Sequence, residues 1–490
     1  MKNQKIQINE NKKKSVSGIT LIALVVTIIV IFTKTGNAYE IDSQGIIKPS
    51  IPQDPENPTL PTALGTKPYF PCDKFKQLEG TNLTNGLVIT DKAKNEEVGN
   101  EYVWIEVPST AVDSTATGGP DYSGVSGATD YTNIATALRN YCTTDASNLD
   151  LIKVAEGTGT YTDFNTKTMG HKDEWYDYYG TTYDGMHNYS ECKYAENSSS
   201  NFNKAKTYYG KIYTDTALKT EATSFTSETT YYVDMSEKTS DAKGCGLTYT
   251  EYTTLYNKML KSVYENGGFW IGRYEAGIDS TGTARGQSTN SIDGLIPVSK
   301  INSYPINYVT CSQAQIISSS VQNKGSYNSS LMFGIQWDLV LRHLSNKGVL
   351  TSDLISDSSS WGNYYNQQFD INRGKYSAKS PWNVYIDYTT ATENKVSITG
   401  SGKSLVSQKD GNEYKNAILL TTGAVDVNSK KNIYDLAGNV NEWTLEKSNS
   451  LVDPSVSRGG SFGHDGSKYT ASNRFCYNFN PSLAFNFVRL

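Results

Sequence analysis

The sequence predicts an α+β protein with irregular loops, and three observations carry that prediction. Apolar residues recur at helical spacing in some stretches, β-branched and aromatic residues alternate in others, and the chain beyond the last helical stretch consists of short strand, turn and loop segments. With 37% hydrophobic and 19% charged residues, the chain is too apolar to be disordered and too weakly charged for a coiled coil. The net charge is −5, from 45 Lys+Arg against 50 Asp+Glu, so no global positive field holds a phosphate backbone and no nucleic-acid partner is expected. The 35 Tyr and 40 Gly, with heavy use of Ser, Thr and Asn, resemble an exposed recognition surface.

The chain opens with a basic leader, residues 1–18, in which Lys2, Lys5, Lys12, Lys13 and Lys14 face Glu10 alone. Ser15 to Thr33 then provides 19 uncharged residues, the short end of what spans a bilayer, so a hydrophobic helix is expected over residues 19–36 with its lysine-rich end in the cytoplasm. Three fates fit this leader: a retained membrane anchor, a signal peptide cut after Ala38, and a prepilin-type leader. Each exports the remainder. Residues 37–71 hold seven of the 14 prolines, mostly at three-residue spacing, which favours a polyproline II stalk of about 3 Å per residue.

The main domain is expected over residues 72–490. Leu87 to Val107 reads as two short strands around a polar turn, with Tyr102, Trp104 and Glu106 alternating against Val103, Ile105 and Val107. Periodicity then fades, and residues 109–246 read as a large polar insertion whose one helical stretch lies near Ile134 to Tyr141. Thr248 and Glu251 form a capping-box pattern ahead of a helical face of Tyr252, Leu255, Tyr256, Met259, Leu260 and Val263, which Gly267 and Gly268 stop. Phe269 to Ile278 reads as a strand. A second helix starts at Thr310 with Gln313 as reciprocal cap, and a third carries Trp337, Val340, Leu341 and Leu344 on one face. The six cysteines permit disulfides without specifying them, and the absence of C-x-x-C pairs, with four histidines far apart in sequence, gives no pattern for structural zinc.

Five separated pieces carry a family resemblance: Glu101-Tyr102-Val103-Trp104-Ile105, the run Gly268 to Glu275, Gln336-Trp337-Asp338, the run Tyr434 to Trp443, and Arg458-Gly459-Gly460-Ser461-Phe462. In this order they resemble the formylglycine-generating enzyme, or sulfatase-modifying factor, superfamily. The resemblance implies a C-type-lectin-like fold and a calcium site to which Asn439 and Glu442 contribute, with Asn441 standing where the family usually has Trp. The enzymes of that family oxidise a cysteine with two cysteines just upstream of an Arg that Arg474 matches; here Tyr469 to Asn473 carry none and Cys476 lies after it, so no catalysis is expected. Gly18-Ile19-Thr20-Leu21-Ile22 likewise resembles a type IV prepilin segment cleaved after Gly18 and methylated at Ile19, although Ala23 stands where pilins carry Glu.

In residues 459–490, small or structural residues alternate with large, chemically mixed ones. Gly459, Gly460, Ser461, Ala471, Ser472, Asn473, Arg474, Pro481, Ser482 and Ala484 read as framework. Phe462, His464, Asp465, Lys468, Tyr469, Phe475, Tyr477, Phe479, Leu483 and Phe485 read as occupants of a ligand-binding surface. The pattern resembles the variable region of diversity-generating-retroelement target proteins, whose adenine-rich template codons are randomised; every proposed occupant except Lys468 has a codon of the NNC form. The expected protein is thus a membrane-tethered, adhesin-like binder on a bacterial surface, with an extracellular protein or glycan as partner. The alternatives are a minor pilin or pseudopilin in contact with pilus or secretion machinery, and a sulfatase-modifying-type oxidase.

Overall fold

The computed structural model describes residues 60–93, 98–143, 249–286, 291–321, 327–378, 380–389, 417–447 and 455–477, pieces of 199–247, and short strands at 39–41, 47–49, 191–192, 397–399, 404–406 and 486–487. The basic leader, the apolar segment with Gly18 and Ile19, and Phe479, Leu483 and Phe485 lie outside the described residues. The chain divides into two compact units, Met1–Thr59 and Leu60–Leu490. In the first, Tyr39–Ile41 pairs antiparallel with Ile47–Pro49. Among the described residues no helix is long and apolar enough to cross a membrane.

The second unit is α+β, with two four-stranded sheets. The first comprises β1 (Lys76–Gln77), β2 (Val88–Thr90), β3 (Glu101–Glu106) and β4 (Gly268–Gly272), adjacent in that order and antiparallel. The alternation in β3 works as read: Val103 and Ile105 enter the main core, while Trp104 on the other face packs with Leu60, Phe75, Leu87 and Ile89. Trp104 and Trp270 sit opposite in register with ring centroids 5.0 Å apart. Both faces are covered, which accounts for β-branched and aromatic side chains on each.

Helix α1 (Tyr131–Thr143) packs on α2 (Tyr249–Asn266) and on α4 (Gly334–Asn346), and α3 (Cys311–Ser319) precedes α4 in the chain. The side chains read as the face of α2 are buried or packed on the core. Thr310 and Gln313 form the reciprocal cap of α3, the Gln313 amide N donating to Thr310 Oγ1 at 3.1 Å and Thr310 N to Gln313 Oε1 at 3.0 Å. On α4, Trp337, Val340, Leu341 and Leu344 are all fully buried. This helix contacts both β3 and β5 (Asn441–Lys447), the latter in the second sheet with β6 (Ser455–Arg458), β7 (Arg474–Tyr477) and β8 (Asn486–Phe487). The strand order is β7, β6, β5, β8, with β8 parallel to β5.

Three sequence expectations are corrected here. The compact unit begins at Leu60, not residue 72: Leu60 is core, and Thr66 Oγ1 accepts from Trp104 Nε1 at 2.8 Å while donating to Gly267 O at 3.0 Å. The insertion is not all decoration, because Ile134 and Leu138 on α1, with Phe202, Ile212 and Tyr231, belong to the main core. The strand read over Phe269 to Ile278 stops at Gly272, since Arg273 turns aside to pair with Glu101 at 2.7 Å and Glu275 is drawn to Asn439; a separate strand, Gly277–Ile278, pairs with Tyr304–Pro305. Cys142 and Cys311 are buried, and Cys72 is half-buried.

His343 on α4 gives the fold a pH dependence. Glu106 N donates to its Nδ1 at 3.1 Å, and burial, with the nearby Lys347 charge as a smaller cause, holds the imidazole down at about 3. The folded protein therefore keeps His343 neutral where the unfolded chain protonates it near pH 6.5, so stability is lost as pH falls below that value. The contribution is about 2 kcal/mol less stability at pH 5 than at pH 7. Urea unfolding of the native chain and His343→Gln at both pH values is expected to show a smaller pH difference in the variant; equal differences would remove His343 as the cause.

Candidate ligand-binding surface

The C-terminal region is hung on a buried charge quartet. Arg458 Nη2 pairs with Asp338 Oδ1 at 2.7 Å and Arg458 Nη1 with Glu446 Oε2 at 3.1 Å. Arg474 Nε pairs with Glu446 Oε1 at 2.7 Å and Arg474 Nη2 with Asp338 Oδ2. Arg458 and Arg474 stand opposite each other in the β6–β7 register, which places both guanidinium groups over the same two carboxylates. The four charges cancel, each carboxylate is shared by two arginines, and Arg458 Nε also donates to Asn473 O at 3.0 Å. Such saturation is the condition under which desolvated charges are tolerated. Trp337 lies beneath Arg458 at 5.5 Å, and its Nε1 donates to Ala471 O at 2.9 Å, tying α4 to the loop between β6 and β7.

A second buried network joins the other motifs. Asn439 Nδ2 donates to Glu275 Oε2 at 2.7 Å and Val440 N to Glu275 Oε1 at 3.2 Å. Asn439 Oδ1 accepts from Asn363 Nδ2 at 2.8 Å and from Leu420 N at 3.1 Å. A hard cation needs six to eight oxygens, roughly, and this amide oxygen already serves two protein donors. Among the described residues no group of three or more His, Cys, Asp and Glu side chains is placed to hold a metal ion. Asn439 and Glu442 are both buried, and Asn439 ties the segment after β4 to the start of β5.

On this base the loop between β6 and β7 presents its side chains. The framework residues Gly459, Gly460, Ser461, Ala471, Ser472, Asn473 and Arg474 are all buried. Gly460 has φ +120°, and a Cβ there would lie 2.4 Å from Tyr469 O. Of the expected occupants, Lys468 is exposed, and His464, Asp465, Tyr469 and Phe475 are half-buried. The His464 and Tyr469 rings stack at 3.9 Å with 14° between their planes, and Phe475 follows 6.4 Å from Tyr469 at 29°. His464 Nδ1 lies 3.2 Å from Ser461 Oγ, and burial lowers its imidazole to about 4, so the stack is uncharged at neutral pH.

Asp465 shapes the turn. Its Oδ1 accepts from Ser467 N at 2.9 Å, Ser467 Oγ at 2.7 Å and Asn366 Nδ2 at 2.9 Å, while Lys468 N and Tyr469 N donate to its carbonyl. Tyr477 continues β7 opposite Ser455. Phe462 is a correction: expected at the surface, it is buried with Ala417, Leu419 and Val440 and meets Trp382 edge-on at 4.8 Å. Phe462 N is drawn inward by a 2.9 Å bond to Asn439 O, a long-range constraint that local alternation does not reveal. The sequence reading also missed Asn366 and Tyr365, which buttress Asp465 from a distant loop and carry no local signal of that role.

Searches against protein-family models, curated proteins and solved structures find no match for this chain.

Proposed function

We propose that this protein is a membrane-tethered binder displayed on a bacterial surface, and that the loop from Gly459 to Tyr477 recognises an extracellular protein or glycan without covalent chemistry. The observation that carries this reading is a partition among the described residues: Gly459, Gly460, Ser461, Ala471, Ser472, Asn473 and Arg474, read as framework, are buried, whereas of those read as occupants Lys468 is exposed, His464, Asp465, Tyr469 and Phe475 are half-buried, and Phe462 alone is buried. A rigid base bearing aromatic rings that lose little rotamer freedom on binding is a suitable paratope. The lectin-like scaffold of the sulfatase-modifying superfamily belongs to the same proposal. Its support is that the five motif pieces meet in one body: β3 pairs with β4, Glu275 holds Asn439, and Asp338 holds Arg458.

Diversification of this surface by a retroelement is tested by deep sequencing of the 3′ end of the gene across a cell population, with the adjoining downstream region. Codons for His464, Asp465, Tyr469 and Phe475 are expected to vary at positions matching adenines in a nearby repeat, with those for Ser461, Ala471 and Arg474 constant. An invariant region without such a repeat would sink the retroelement reading and leave a fixed adhesin or a minor pilin.

A further inference from the structure

A cleft of about 310 Å³ opens between the first sheet, α2 and the start of α4, and it shares no residue with the loop surface described above. Tyr102, Phe269 and Trp270 come from β3 and β4, Met259 from α2, and Met332 and Phe333 from the segment leading into α4. Phe75 and Tyr327 add two more rings at 6.0 Å, and Tyr256 and Phe333 meet edge-on at 5.0 Å just behind. Aromatic walls of this kind favour a flat guest that packs by offset or edge contacts, and the two methionines adapt to its outline. The volume lies at the small end of the range for ligand pockets, enough for one or two fused rings.

Besides the tyrosines, the polar side chains of the lining are Ser262, Asn328, Ser329, Ser330, Gln336 and Lys258. They provide hydroxyl and amide groups and one cation, and the lining contains no carboxylate. Lys258 is exposed on α2, and its Nζ donates to Asn328 Oδ1 at 2.9 Å, which leaves further ammonium hydrogens for an incoming anion. Lys74 lies nearby, 5.2 Å from the Phe75 ring centroid, but its charge is partnered by Asp91 at 3.4 Å. The charge that selects the guest is therefore that of Lys258.

We propose that this cleft binds a flat aromatic carboxylate, its rings between the aromatic walls and its carboxylate at Lys258. The proposal goes beyond the loop-surface reading and does not rest on it. Isothermal titration of the full-length chain with 2-naphthoate tests it, with 2-naphthylmethylammonium as a guest of similar shape and opposite charge. Saturable binding of the carboxylate is expected, at least about tenfold tighter than the ammonium, because a hydrogen bond between charged partners is the stronger kind. Lys258→Gln, a change at an exposed helix position, is expected to bring the two guests to within about threefold, as the charged contact is lost. Absence of saturable binding, equal affinity for the two guests, or a preference that survives Lys258→Gln would each overturn the proposal.

Discussion

Arg474→Met is expected to lower the unfolding free energy by about 3–5 kcal/mol, because it leaves a buried charge without its partner. Asp338 and Glu446 would then share Arg458 alone, one positive charge against two negative, in a site where none of these side chains is more than 1% exposed. Methionine fills similar space, so the loss reports charge and hydrogen bonding more than a cavity. The double variant Arg474→Met with Asp338→Asn removes one charge of each sign and is expected to cost less than the sum of its two single changes. Urea unfolding at pH 7 measures all four states. Strict additivity would mean that the two residues do not interact, and an unaffected midpoint for Arg474→Met would mean that the quartet contributes nothing to the fold.

Gly460→Ala is expected to cost about 3 kcal/mol, more than a left-handed backbone alone would explain. Its φ of +120° is unfavourable for alanine, and the new methyl would meet Tyr469 O at 2.4 Å and the Tyr364 ring at 2.9 Å. Gly118→Ala is the control: its φ is +75° with nothing within 4 Å of the added carbon, and the expected cost is about 1 kcal/mol. Thermal unfolding ranks the two. Because the obstructing atom is the carbonyl of Tyr469, Gly460→Ala is also expected to disturb the Tyr469 stack on His464, seen as a change in near-ultraviolet circular dichroism that Gly118→Ala does not produce. Equal costs for the two glycines would remove the close approach from the account of this loop.

The parts of the molecule legible in the sequence are those whose cause is local. The face of α2 is written in Tyr252, Tyr256, Leu260 and Val263, because a helix repeats its inner side every three to four residues, roughly, and the core selects for that repeat. The cap of α3 needs only Thr310 and Gln313. The two faces of β3 follow from side-chain alternation in a strand covered on both sides. The candidate surface was legible to the same extent: Gly460 shows as a backbone requirement, and Lys468, Tyr469 and Phe475 as side chains with no framework part. Phe462 looks identical to these in the sequence, yet Asn439 O and Trp382 fix it inward from segments well separated along the chain.

By itself, the sequence determined the α+β class, the stop of α2 at Gly267 and the start of α3 at Thr310, the partition of the C-terminal loop into small and large residues, and the net charge that argues against a nucleic-acid partner. Tertiary structure alone decided that Asp338, Glu446, Arg458 and Arg474 close into one neutral quartet, that Asn439 spends its amide on Glu275, Asn363 and Leu420, and that segments of the polar insertion complete the core. The physical reason is range. Helical and strand periodicity act over a few residues, whereas burying a charge or an amide requires that its partner be brought from elsewhere in the chain, and its cost is settled only once all partners are in place.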